Sequence, residues 1–374
     1  MTILNPVIDV GTESYADNQL ILWLMKMQMD MKNADLTHVF VVGDEQTYER
    51  LIHMKENQRF GYEWMIPFPG EFHFAGHMIE CEYRLYWDHI LQRIAILSRK
   101  SKISIDYCFS DFNRHENFYL SVAQAAWEYF SEIFGDKMAD AEWIMNAVAE
   151  NHTASTLACF LFDGALAYVD FKHTMRHPPS RENRLRLNRF YKWYVWRFKA
   201  VGKVKYAHVC LTASHTWECL TTDLQNVWAQ VYNLNLKGNP GRNMALDEGV
   251  EHVNRMAKEL IGADKNEERI AALVPELNVL MPIEMEHDRA TDAANFDPKD
   301  TGLPVLDADV AWIKRLFQDK IGSTYANVTR HSDINLLTGN RDREGNMPHN
   351  KIVDTQRGWA EYARAKLDRF GWMQ

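Results

Sequence analysis

The stretch Thr37-His38-Val39-Phe40-Val41-Val42-Gly43 constrains the fold more than any other. It is short, β-branched and almost continuously apolar, the pattern of a strand buried on both faces. It runs into Gly43-Asp44-Glu45-Gln46-Thr47, and a helix is expected over 46–57. A second extended run, 63–70, breaks into Glu71-Phe72-His73-Phe74 and a long helix to residue 98. Strand, helix, strand, helix in succession is the signature of a partly parallel α/β sheet. Upstream, residues 4–10 read as a short strand or extended entry, and Asp17 caps a helix over 18–32.

From residue 110 onward the pattern turns helical. Helices are expected over 115–134, 139–150, 153–173, 181–200, 203–213, 215–232, 245–261, 267–274, 307–320 and 354–370. The 12 Trp and 17 Met suit a large helix-rich interior, and 46% apolar with 25% charged residues supplies an ordinary globular core. The expected organisation is a partial α/β core over 1–110 and a helical insertion over 111–236. An acidic helix over 237–280 returns to the core, and polar loops and terminal helices fill 281–374.

A net charge of −9 argues against a chain-wide electrostatic grip on nucleic acid and leaves room for a local basic patch. The five cysteines form no CxxC pair, which suits a reduced, intracellular protein. No apolar run reaches the length of a membrane span, and the first residues lack the regions of a signal peptide.

Four stretches carry candidate chemistry. Asp44 follows the first strand, and the carboxyl ends of parallel strands are where ligands gather; the plainer reading is that Asp44 caps the next helix. His73 and His77, one helical turn apart, have the spacing of paired metal ligands, although Phe74 stands where the zincin pattern has Glu. Packing histidines are the plainer reading. A metal hydrolase built on this pair needs a third ligand. Arg181, Arg184, Arg186, Arg189, Lys192, Arg197 and Lys199 interleave with six aromatic residues, a pattern that can hold phosphates and stack bases. The same pattern also describes an amphipathic helix with an aromatic core face. Finally, Gly238-Asn239-Pro240-Gly241 is a turn, and the helix after it sets Asp247 and Glu251 on one face. Asp44 with Asp247 or Glu251 would make an acidic cluster for Mg²⁺ or Mn²⁺.

Three blocks in order, Pro6–Val10, Val41–Tyr48 with Pro69–Phe74, and Gly238–Lys258, resemble the DUF6589 family of transposon-associated proteins. The resemblance implies an RNase H-like α/β sheet with a large α-helical insertion and a DDE-type acidic triad for metal-dependent DNA strand cleavage and transfer. It implies Asp44 and Glu251 as metal ligands, Asp247 in support, and His73 either supporting the metal ligands from behind or facing phosphate. The first acidic residue of such a core would be Asp9, or would lie on a strand that is absent or supplied by a partner chain or a second copy. DNA is the implied partner and the nucleus the implied compartment. The alternative is a non-catalytic nucleic-acid-binding or scaffold protein that retains the fold.

Overall fold

A computed structural model describes residues 14–32, 37–57, 61–100, 102–108, 110–136, 157, 159–235, 240–251 and 307–321. Expected elements at 4–10, 139–150, 267–274 and 354–370 lie outside the described residues, as does Asp9.

Helix α1 (Tyr15–Lys32) begins earlier than Asp17, because the Ser14 hydroxyl accepts the Asp17 amide at 3.0 Å. Strand β1 (Val39–Gly43), helix α2 (Glu45–Asn57) and strand β2 (Met65–Pro69) form one βαβ unit. The strands pair in parallel from Val39 opposite Met65 to Gly43 opposite Pro69, and the Gly70 amide extends the ladder to the Gly43 carbonyl at 2.7 Å. β2 is buried throughout, as a continuous apolar run requires, but every residue of β1 is only half-buried.

Helix α3 (Glu71–Tyr86) passes through a π-helical turn (Trp87–Leu91) into α4 (Gln92–Leu97). Then come α5 (Phe112–Phe134), a second π-helical turn (Cys159–Ala165), α6 (Leu166–Arg176), α7 (Arg181–Ala200), α8 (Val204–Cys219) and α9 (Thr222–Val231). A short antiparallel pair, β3 (Asn233–Leu234) and β4 (Met244–Ala245), leads into helical residues 246–251. Helix α10 (Asp307–Ile321) packs on α5, with Tyr129 against Phe317 and Lys100 paired to Asp309 at 2.7 Å.

The expected RNase H-like sheet with a helical insertion is therefore corrected. Among the described residues there are two sheets of two strands each, and helices supply the rest of the core. The reason lies in what covers β1 and β2. Trp228 of α9 lies across Phe40 and Phe68, its ring stacked on both at 4.7 Å. Such stacking covers the apolar face of the strand pair with a helix. On α3, Phe74 packs among Phe171, Tyr191, Tyr194 and Phe198, which ties the helix to α6 and α7.

His77 belongs to this packing. Its Nε2 meets the Tyr206 hydroxyl at 2.5 Å, and its Nδ1 meets Glu80 at 3.3 Å and Lys203 at 3.1 Å. Burial pushes the Glu80 carboxyl up, but hydrogen bonds from His77, Lys203 and Arg84 outweigh it and bring its pKa down to about 2. A carboxyl lowered on folding stabilises above its ordinary value of 4.5 and loses that contribution as pH falls toward 2. Acid titration of unfolding should thus be steeper in the wild type than in Glu80→Gln over that window. Superimposable curves would show that the cluster is not coupled to stability.

Candidate functional site

Two chain reversals assemble the site. The parallel pair brings Asp44 and Glu71–His73 to one edge, because both segments leave the carboxyl ends of their strands there. The β3–β4 pair then carries residues 246–251 back to the same edge. Asn233 anchors that pair by donating its amide to the carbonyls of Met175 and His177, each at 3.0 Å, while its own oxygen accepts from Asn243 at 3.2 Å. Gly241 turns the intervening loop with φ of +73°, a conformation that favours glycine.

Asp247 caps α3 from 174 positions away. The residue at the helix's own N-cap position, Gly70, has no side chain to do so. Asp247 Oδ1 accepts the Phe72 amide at 3.1 Å, and Oδ2 accepts the His73 amide at 3.0 Å. The same Oδ2 meets His73 Nδ1 at 2.9 Å. Gly70 makes this approach feasible, since a Cβ there would lie 2.3 Å from Asp247 Oδ2. His73 is thus fixed through Nδ1 and keeps Nε2 for another partner, with its side chain 30% exposed. The hydrogen bond to Asp247 raises the His73 pKa above 6.5 against the effect of burial, and the charges of Asp247, Asp44 and Glu251 add to the rise.

The three acidic candidates therefore lie in one neighbourhood around His73, but not in equal roles. Asp247 is buried and spent on capping and on the imidazole. Asp44 and Glu251 are exposed, and Asp44 also caps α2 by accepting the Thr47 amide at 2.8 Å. Among the described residues no group of three or more His, Cys, Asp or Glu side chains is arranged to hold a metal ion. That includes His73 with His77, whose nitrogens face Asp247 and the Glu80–Lys203–Tyr206 cluster.

The basic aromatic helix divides differently from its sequence pattern. Arg184 and Arg197 are buried and point inward, so neither can meet a nucleic-acid backbone from the surface. Arg184 pairs with Glu71 at 2.8 Å inside a ring that includes Phe68, Tyr191, Trp217, Trp228 and Tyr232. Arg197 grips Glu82 with two hydrogen bonds, 2.9 Å from Nε and 2.6 Å from a terminal nitrogen. Arg186 pairs with Asp170 at 2.6 Å, Lys192 pairs with Glu218, and Lys199 also has a partner. Arg181 and Arg189 remain exposed, Arg181 with a 3.4 Å contact to Asn226. Phe190, Tyr191, Tyr194 and Phe198 are core, and Trp193 faces solvent.

Sequence reasoning missed Glu71 and Glu82. Their spacing on α3 is legible, because eleven residues make three helical turns and put both on one face. A pair of acids on an otherwise apolar face is a sign that buried cations await them.

Residues 141–294 match the model of a family of unknown function, DUF6589. Over that segment, less than half of its length, the chain is similar to the DUF6589 family. The matched segment spans the basic aromatic helix and the Gly238–Lys258 stretch, so Asp247 and Glu251 lie inside it, whereas Asp44 and His73 lie before it. No curated protein and no solved structure matches this chain. Among its described residues no helix is long and apolar enough to cross a membrane.

Proposed function

We propose that this chain is a DUF6589-like, transposase-derived protein that cleaves and transfers DNA strands at the carboxyl edge of β1 and β2. One observation carries the reading: at the carboxyl edge where Asp44 leaves β1, Asp247 returns from 174 positions away to cap α3 and hold His73 through Nδ1. Asp44 and Glu251 offer exposed carboxylate oxygens, the donor set that suits Mg²⁺ or Mn²⁺. Two carboxylates are enough for a cation that completes its shell with water and substrate phosphate. When bound, the cation supplies charge neutralisation at the phosphate and activation of water. Asp247 holds the imidazole in one orientation through Nδ1, and His73 carries a proton on Nε2 toward the leaving oxygen. The first-turn amides of α3 that Asp247 occupies are closed to phosphate, so His73 is the contact this helix end offers. Arg181 and Arg189 are the cations of α7 best placed to meet a DNA backbone, since both face solvent. Nuclear residence follows from DNA as the partner.

A second reading, a nucleic-acid-binding or scaffold protein without catalysis, is favoured by the inward commitment of Arg184 and Arg197. Nicking of supercoiled plasmid in Mn²⁺ separates the two. Glu251→Gln and Asp44→Asn should abolish nicking, and His73→Gln should slow it by about 10²–10⁴. Wild-type rates in all three variants would remove the site. DNA binding with no nicking by the wild type would leave the second reading standing.

A further inference from the structure

The solvent side of α7 carries a row of side chains. Arg181, Leu185, Arg189 and Trp193 follow one another at four-residue steps, and all four are exposed, Leu185 to 43% and Trp193 to 46%. We propose that this row is a track for single-stranded DNA, with Arg181 and Arg189 on phosphates and Trp193 stacked on an unpaired base. It deepens the reading above and rests on it for where the strand leads, whereas the binding itself needs neither metal nor cleavage.

A phosphate needs cations that no carboxylate has already neutralised. Arg184, Arg186, Lys192 and Arg197 are each paired with an acid. Among the described residues no ion pair or hydrogen bond engages Arg189. Arg181 meets the neutral Asn226 amide at 3.4 Å and no carboxylate. Glu182, in the first turn, is the only acid of α7. Eight residues set the two Arg about 12 Å apart along the helix, and four more set Trp193 about 6 Å further. Charge and stacking surface thus fall on one line that several nucleotides can follow.

Packing decides between one strand and two. Helix α7 lies against α3, α6, α8 and α9, so it cannot enter a major groove about 12 Å wide. A duplex also keeps its base faces stacked on one another, whereas a single strand offers them to an aromatic ring. Cations with an aromatic face are the sequence-tolerant way to hold such a strand. The ion pairs then give the track a direction. Glu71–Arg184 and Glu82–Arg197 lock α3 and α7 side by side, running the same way. The row begins at the end of α7 that Glu71 pins to the first turn of α3, the turn that holds His73, and runs away from it.

Fluorescence anisotropy of labelled (dT)₁₂ with the full chain in EDTA tests the track. The wild type should bind (dT)₁₂ about tenfold or more tighter than a duplex of the same length. Trp193→Ala should weaken (dT)₁₂ by about fivefold to a hundredfold and leave the duplex unchanged, while Trp193→Phe should keep most of the affinity. Arg189→Ala should lower the slope of log K against log salt by about 0.7. Both positions are exposed, so the fold tolerates these changes. Equal affinity for single strand and duplex, or wild-type binding by Trp193→Ala, would overturn the track. Displacement of (dT)₁₂ by poly-glutamate at equal charge would do so too, by making the row a docking face for an acidic peptide. Strand binding without plasmid nicking would retain the track and remove the cleavage reading; nicking without strand binding would do the reverse.

Discussion

Glu82→Ala should destabilise the protein by about 3–5 kcal/mol, read as a lower urea midpoint with an unchanged slope. The loss arises because Arg197 is only 1% exposed and would be left charged with no counter-charge beside it. Glu82 accepts two hydrogen bonds from that guanidinium and one from the Tyr194 hydroxyl at 3.0 Å, so one substitution strands several buried donors. Gly164 belongs to the same unit: a Cβ there would stand 2.3 Å from Glu82 Oε2 and 3.1 Å from an Arg197 nitrogen. Gly164→Ala should therefore destabilise in the same direction. The informative control is the double change Glu82→Leu with Arg197→Met. Replacing a buried ion pair by apolar residues of similar volume is often neutral or stabilising, so the double variant should recover most of the loss. A cost below about 1 kcal/mol for Glu82→Ala would mean that the pair is solvated and that the burial of α3 against α7 is wrong.

Gly70→Ala should mimic Asp247→Ala, each costing about 2–4 kcal/mol. The two residues are in contact, and the added methyl group would occupy the space of the Asp247 carboxylate, 2.5 Å from its carbon. Displacing Asp247 uncaps the amides of Phe72 and His73 and releases His73 Nδ1 together. The signature that separates this from general loosening is electrostatic. In the wild type, His73 should titrate above 6.5 in a proton NMR experiment, because the hydrogen bond to Asp247 favours the charged ring. In Asp247→Asn and Gly70→Ala the midpoint should move down. The sign for stability follows: a histidine raised on folding stabilises below its unfolded value and loses that contribution as pH rises through the folded value. The wild-type advantage over Asp247→Asn should accordingly be larger at pH 6 than at pH 9. An unshifted midpoint in both variants would detach His73 from the cap.

Both effects fall on residues that the sequence half revealed. The block Pro69-Gly70-Glu71-Phe72-His73 and the segment with Asp247 are visible as punctuation and polarity. That one caps the other is not visible, because a helix N-terminus accepts any nearby oxygen and the chain between them offers many. The cations of α7 make the same point. Arg184 and Arg197 look like members of a basic stripe with Arg181 and Arg189. In the helix, Arg184 falls with Leu187, Tyr191, Tyr194 and Phe198 on the buried side, while Arg181 and Arg189 fall on the solvent side. Reading that helix by angle separates Arg184 from Arg189, but it does not separate Arg197, whose burial depends on Glu82, from the exposed cations.

What this chain determined locally is its helices and its two parallel strands. The span of α7 is the expected 181–200, because Ser180 accepts the Asn183 amide at one end and Gly202 stops the helix just beyond the other. β1 and β2 likewise follow from short apolar runs and the glycines that end them. Only the tertiary structure decided what covers those strands, where Trp228 of α9 stacks on Phe40 and Phe68. Only it decided which charges face inward and which of Asp44, Asp247 and Glu251 remains open to a ligand. The physical reason is range: capping and periodicity act within a few residues, whereas burial and ion pairing depend on partners more than a hundred positions away.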